Sequence, residues 1–362
     1  MARPYRVLII DDSALVRESL RGIIEAHPRL SVMGTAGDPL QAAELIRREL
    51  PDVITLDIEM PRMDGVTFLR RLMAQRPIPV VVCSSLVGDG SATLNAVLEA
   101  GAVDIITKPQ LAQKRFFEES TIRVQDAVLG AAHADLSAVM ARRNAQESLP
   151  ETRPPKRPTH AHGDGAMLET TDQVIAIGAS TGGTEALRVV LEGLPADAPP
   201  ILIVQHMPAQ FTAPLAARLD RTARVHVREA SDGDRALRGT ALIAPGHAHM
   251  MLNRSGATYR VRLSEGALVN RHRPSVDVLF RSVARHAGAN AVGVIMTGMG
   301  EDGAAGLLDM RKAGARCFGQ DEATSVVYGM PGAARRMGAV ERDVPLGDIA
   351  SVIVEVGNLA AN

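Results

Sequence analysis

VIAIGASTGG, residues 174–183, decides how the second half of this chain reads. A short run of apolar residues ends at glycine, and a helix-like stretch, TEALRVVLEGL, follows. That is the pattern of a buried parallel strand turning into a helix. Two further runs repeat it: ILIVQ (201–205) leads into His206, and AVGVIMTG (291–298) leads into a glycine-rich loop carrying Asp302. In an open parallel sheet, chemistry collects outside the carboxyl ends of the strands. Ser180, His206 and Asp302 are distant in sequence, yet this fold class would deliver all three to one sheet edge.

The first half follows the same grammar. RVLIID (6–11), SVMGTAG (31–37), DVITLD (52–57), PVVVCS (79–84) and DIITK (104–108) read as strands, with helical stretches such as PLQAAELIRREL (39–50) between them. Alternation of this kind predicts a flavodoxin-like, five-stranded parallel sheet. An Ala-rich, helix-like stretch covers 110–146, and ETRPPKRPTHAHGDG (151–165) then breaks all periodicity. The expected division is a first α/β unit over 1–124, a helical and Pro-rich linker over 125–168, and a doubly wound α/β unit with a mainly parallel sheet over 169–362. His160 and His162 fall in the linker and read as a solvated pair rather than a metal site.

Bulk properties narrow the function classes. At 362 residues, two domains are the natural prior. Apolar residues make up 46% and aromatics only 2%, which suits aliphatic helix-on-sheet cores. A formal charge of -1 offers no footprint for nucleic acid or an anionic membrane. No run approaches the ~20 apolar residues of a membrane span, and no signal peptide precedes the first strand. A cytoplasmic protein is expected. Cys83 and Cys317 lie in different halves and give neither a disulfide framework nor a metal spacing; Cys83 reads as a buried strand residue.

Five polar residues close strands in the first unit: Asp11 and Asp12, Asp57, Ser84 and Lys108. Taken singly, each reads as a helix cap or a turn. Together at one edge, three carboxylates would make a hard oxygen site suited to Mg²⁺, with a hydroxyl and an ammonium ready for phosphoryl oxygens. With the pair Asp11–Asp12, LDxxMPxMDG (56–65), a strand-ending Ser84 and TKP (107–109) all in order, residues 5–122 resemble the receiver domain of two-component response regulators. The resemblance implies that a histidine kinase phosphorylates Asp57, with Asp11 and Asp12 binding Mg²⁺. Many receivers carry an aromatic switch residue three positions before the lysine, where this chain has Ile105. Repacking around Ser84 is therefore the expected route of the signal.

Around Ser180 the residues leave three readings open. GASTGG fits the G-x-S-x-G strand–turn–helix form that exposes a nucleophile. It also suits a phosphate cradle at a helix N-terminus, and Ser180 could simply cap the helix. The dinucleotide fingerprint fails, because Ser180 stands at its second glycine position. His206 lies in QHMP, and Asp302 in TGMGEDGAAG (297–306), where it could cap the following helix. As a set, the three supply a nucleophile, a base and an orienting carboxylate. Their order, Ser–His–Asp, differs from the α/β-hydrolase order.

That order, with GASTGG, QHMP, HRPSVDVLF (272–280) and TGMGEDG, makes residues 172–357 resemble the catalytic domain of the chemotaxis protein-glutamate methylesterases. A receiver fused ahead of such a domain is that family's architecture. The resemblance implies Ser180 as nucleophile, His206 as base, Asp302 as orienter and the Met299 backbone N–H as an oxyanion donor. It further implies demethylation of glutamyl methyl esters and deamidation of glutamines on chemoreceptors. The two-site architecture suggests regulation: an unphosphorylated receiver would cover the Ser180 edge of the catalytic sheet, and phosphorylation of Asp57 would favour an uncovered arrangement. The hydrolase site needs no cofactor on this view. The rival class is a phosphorylation-gated nucleotide- or anion-binding module without esterase activity. His247 and His249 read as loop residues, Met250 and Met251 as core, and His272 and Arg273 as motif residues of unassigned role.

Overall fold

The computed structural model describes residues 3–60, 63–85, 90–109, 114–137, 139–140, 173–256 and 258–359. His160 and His162 lie outside these residues. The chain divides into two compact units, Met1–Ser148 and Leu149–Asn362.

In the first unit, β1 (Tyr5–Ile10), α1 (Ala14–Glu25), β2 (Leu30–Ala36), α2 (Pro39–Arg48), β3 (Val53–Asp57), α3 (Gly65–Gln75), β4 (Val80–Ser84), α4 (Gly90–Glu99), β5 (Asp104–Thr107) and α5 (Lys114–Ala132) alternate strictly. The sheet order is β2-β1-β3-β4-β5 with every pairing parallel. Val7, Leu8, Ile9 and Ile10 are all buried, as helices on both faces require. Burial of each such side chain is worth about 1.5–3 kcal/mol. Caps set the helix starts. Ser13 accepts from the N–H of Val16, Asp38 from Leu40 and Gln41, and Asp64 from Thr67. Gly65 is required by packing: a Cβ there would lie 2.2 Å from the Asp57 carbonyl oxygen.

The expected domain boundary at residue 124 falls inside α5. Val124, Ala127, Val128, Leu129 and Ala131 are buried, and Gln125 donates to the Ile23 carbonyl at 2.9 Å. That helix therefore belongs to the first unit through Ala132.

The second unit enters its sheet at the centre. It contains β6 (Val174–Ala179), α6 (Gly183–Gly193), β7 (Ile201–Gln205), α7 (Ala209–Thr222), β8 (His226–Glu229), β9 (Thr240–Ile243), β10 (His249–Ser255), β11 (Thr258–Ser264), α8 (Val276–His286), β12 (Ala291–Ile295), α9 (Ala304–Lys312), β13 (Arg316–Gln320), α10 (Met330–Arg336), β14 (Arg342–Val344) and α11 (Ile349–Leu359). The seven-stranded order is β14-β13-β12-β6-β7-β9-β8, all parallel. From β6 the sheet grows outward through β7, and β12 then returns to the other side of β6. That reversal is a topological switch point, where such sheets hold their sites. A separate antiparallel hairpin, β10–β11, packs on α8.

Candidate functional site

Sheet register brings the predicted catalytic residues together. Ala179 pairs with Gln205, and Gly178 with Ile295, so Ser180 leaves the ladder between His206 and Thr297. The His206 N–H donates to the Ala179 carbonyl at 3.1 Å, and the Ser180 N–H donates to Thr297 at 3.0 Å. Gln205 ties the two corners by donating to the carbonyls of Ser180 (2.9 Å) and His206 (3.2 Å).

Ser180 is not the helix cap. Gly182, in the left-handed conformation at φ 77°, holds that position and makes no side-chain cap bond. The Ser180 carbonyl accepts from the Gly183 N–H at 2.7 Å, closing a tight turn that leaves its side chain partly exposed. A Cβ at Gly182 would meet Val326 at 2.6 Å, and one at Gly183 would meet Gln205 Oε1 at 2.2 Å. The space these glycines open is filled by the protein itself.

Asp302 accepts a 2.9 Å hydrogen bond from His206 Nε2. It does not cap the helix that follows it, whose N-cap is Gly303. It lies instead at the N-terminus of α8, accepting from the N–H groups of Val276 (2.6 Å) and Asp277 (3.4 Å), where the helix dipole favours an anion. The Ser275 hydroxyl and the Asn270 amide each donate to Oδ1 at 2.8 Å. Burial works against the charge of Asp302. The His206 hydrogen bond and charge, the Asn270 amide and the nearby His272 outweigh it and hold the carboxyl well below the usual range.

His206 Nδ1 is buried and has no hydrogen-bond partner among the described residues. With Nε2–H committed to Asp302, Nδ1 is the basic nitrogen. The Ser180 hydroxyl is not hydrogen-bonded to it, so that contact must form before proton transfer. The Met299 N–H has no acceptor within the described chain. Its neighbour Gly298 runs against Ser180, where a Cβ would lie 2.7 Å from the serine Cβ.

In the first unit, oxygens of Asp11, Asp12 and Asp57 lie within 4.8 Å of one another. Lys108 Nζ donates to Asp57 Oδ2 at 2.8 Å and lies 3.1 Å from Asp11 Oδ2. Asp11 Oδ2 is buried and makes no geometrically sound hydrogen bond. Burial and the Asp57 charge push the Asp11 carboxyl up, and Lys108 pulls it down less strongly. Burial would lower the Lys108 ammonium, but the Asp57 hydrogen bond and both carboxylate charges prevail and raise it. A hard oxygen donor set of three carboxylates facing a single ammonium fits Mg²⁺. Ser84 is buried at the end of β4, and its carbonyl accepts from the Lys108 N–H at 3.2 Å. Ile105 is buried in β5.

Residues 175–353 match the CheB methylesterase family model, and residues 7–118 match the response regulator receiver domain. A relative from Rhodospirillum rubrum, named protein-glutamate methylesterase/protein-glutamine glutaminase 2, is 57% identical over 99% of this chain and 100% of its own length. One from Geobacter metallireducens, named protein-glutamate methylesterase/protein-glutamine glutaminase 3, is 54% identical over 98% of this chain and 99% of its own length. The chain belongs to the protein-glutamate methylesterase/protein-glutamine glutaminase family. The Thermotoga maritima CheB methylesterase catalytic domain is 35% identical, with a TM-score of 0.50 over 51% of this chain and 98% of that one. Membership makes the chain a hydrolase with a receiver domain. Among the described residues no helix is long and apolar enough to cross a membrane.

Several neighbours of Ser180, His206 and Asp302 stand out that sequence reasoning did not place. His272 stacks on His206, with ring centroids 3.8 Å apart and planes at 10°. Asn270 bridges Asp302 and Asp277. His249 is not a loop residue as expected: it begins β10, is buried, accepts from the Ser275 N–H at 3.1 Å and contacts the Ala267 carbonyl at 2.9 Å. Through Ser275 it braces Asp302. His247 does lie in an exposed turn; Met250 is core, whereas Met251 is only half-buried. Arg273 donates to the Gly266 carbonyl at 2.8 Å.

Proposed function

We propose that this chain is a phosphorylation-activated serine hydrolase that cleaves γ-glutamyl methyl esters on chemoreceptor helices and deamidates glutamines there. The observation that carries the proposal is the His206–Asp302 pair at 2.9 Å, on the sheet edge where Ser180 leaves the neighbouring strand. It is supported by relatives matched over nearly their whole length that bear the name protein-glutamate methylesterase/protein-glutamine glutaminase.

Ser180 Oγ attacks the ester carbonyl carbon while His206 Nδ1 takes its proton. Asp302 keeps the second ring proton on Nε2 and stabilises the imidazolium. The Met299 N–H donates to the developing oxyanion; losing such a donor costs about 2.7–4 kcal/mol in the transition state. The tetrahedral species collapses as His206 returns the proton to the departing methoxide, giving methanol and an acyl-enzyme. Water, deprotonated by the same nitrogen, then releases glutamate and regenerates the serine. On a glutamine the departing group is ammonia.

In the receiver, Asp11, Asp12 and Asp57 would hold Mg²⁺, which supplies charge neutralisation for phosphoryl transfer. Asp57 Oδ accepts the phosphoryl group from a histidine kinase, with Lys108 and Ser84 receiving phosphoryl oxygens. A serine-directed fluorophosphonate tests the hydrolase assignment. Label on Ser180, absent from Ser180→Ala and slowed in Asp302→Asn, is the expected result; label elsewhere, or none on active protein, contradicts it.

A further inference from the structure

Asn270 is not a residue the chemistry above requires, yet its placement is unusually constrained. Its backbone adopts φ 50°, and the next residue, Arg271, φ 68°. Consecutive left-handed residues without glycine are strained, at roughly 1–2 kcal/mol each. Asparagine tolerates that region better than most residues. The turn directs one amide nitrogen into a gap between two carboxylates. Asn270 Nδ2 lies 2.8 Å from Asp302 Oδ1 and 2.8 Å from Asp277 Oδ2. An amide NH₂ has two hydrogens, so each acid receives one.

Asp277 is itself fixed. Its other oxygen accepts from the Gly306 N–H at 2.6 Å, and Arg281 lies 3.1 Å from Oδ2. Asp277 is thus an anchor at the base of α8, and Asn270 is the strut between that anchor and the orienting carboxylate. Without it, each of the two buried carboxylates would lose one donor, the one that links them.

We propose that Asn270 is a positioning residue for the reaction: it sets the angle of the Asp302 carboxylate toward His206 by bracing it against Asp277. The inference rests on the serine-hydrolase reading of this site. The titratable and charged groups facing the strut are Asp302, Asp277 with Arg281, His206, and His272 stacked on it. His249 acts on the same carboxylate through Ser275.

Two substitutions separate bracing from backbone shape. Asn270→Gly keeps the left-handed turn and removes the amide. Its kcat should fall on the order of 10²-fold with KM little changed, as a misplaced catalytic group produces. Asn270→Asp preserves size and tolerance of the turn but replaces a two-hydrogen donor with a third carboxylate. Its kcat deficit should also be on the order of 10²-fold, because a carboxylate offers neither acid a hydrogen.

The assay uses full-length protein, methylated receptor membranes and methanol release across pH 6–8, with fluorophosphonate labelling of Ser180 as a second readout. Wild-type kcat in the Gly variant, or in a folded Asp variant, overturns the inference while wild-type activity leaves the hydrolase assignment intact. A wild type that releases no methanol under phosphodonor defeats the assignment itself. If the Asp variant does not fold, the Gly variant alone decides.

Discussion

Ser180, His206 and Asp302 owe their meeting to strand register, but their chemistry to very local bonds. Ser180→Ala should lower methanol release by about 10⁶-fold, the scale seen when a hydrolase nucleophile is removed. Asp302→Asn should cost about 10⁴-fold in kcat, because the amide would favour the wrong imidazole tautomer. Asp302 also bears on stability. Its carboxyl lies below the ordinary range in the folded protein, so it contributes stability above pH about 4 and loses that contribution as pH falls further. Urea denaturation of the catalytic unit from pH 7 to 3 should show a drop below pH 4 that Asp302→Asn reduces. Lys108 has the opposite sign. Its raised value stabilises the folded receiver up to pH about 10.4, and the contribution disappears as pH rises further. The placement of Ser180, His206 and Asp302 at one sheet edge was legible because each follows an apolar run. Asn270 and His272 were not, since a loop held by left-handed residues has no periodicity to read.

Elements position the site through close backbone approaches. Gly178 in β6 faces Val276 at the start of α8, where a Cβ would lie 2.2 Å from Val276 Cγ1. The Val276 N–H holds Asp302. Gly178→Ala should therefore destabilise the unit by about 1–3 kcal/mol, the usual cost of overpacking, and lower kcat as well. Chemical denaturation and methanol release on the same preparation check both effects; an unchanged midpoint would show that α8 is free to shift. The five strands of the first unit, with β6 and β7, were legible from sequence to within a residue, as with VIAIG against β6 and ILIVQ against β7. Full burial on both faces makes such strands continuous apolar runs. The β10–β11 hairpin escaped notice because its alternating Arg and apolar residues, YRVRL, lie outside the main sheet, with no flanking helix rhythm. That omission misassigned His249 to a loop. The end of α5 was likewise missed, because its Ala-rich sequence runs into the linker without a break in composition.

At the scale of the molecule, two α/β units carry two chemistries in one chain. The chain matches both a receiver and a methylesterase family model. Coupling between the units demands that modification of Asp57 change the equilibrium governing Ser180. Asp57→Asn should retain basal hydrolysis but lose its response to a small-molecule phosphodonor with Mg²⁺. The most direct measurement is methanol released from methylated receptor membranes by full-length protein, with and without that phosphodonor. Release that rises with the phosphodonor and vanishes in Ser180→Ala is expected. Undiminished release by Ser180→Ala, or none from the wild type in either condition, would contradict it.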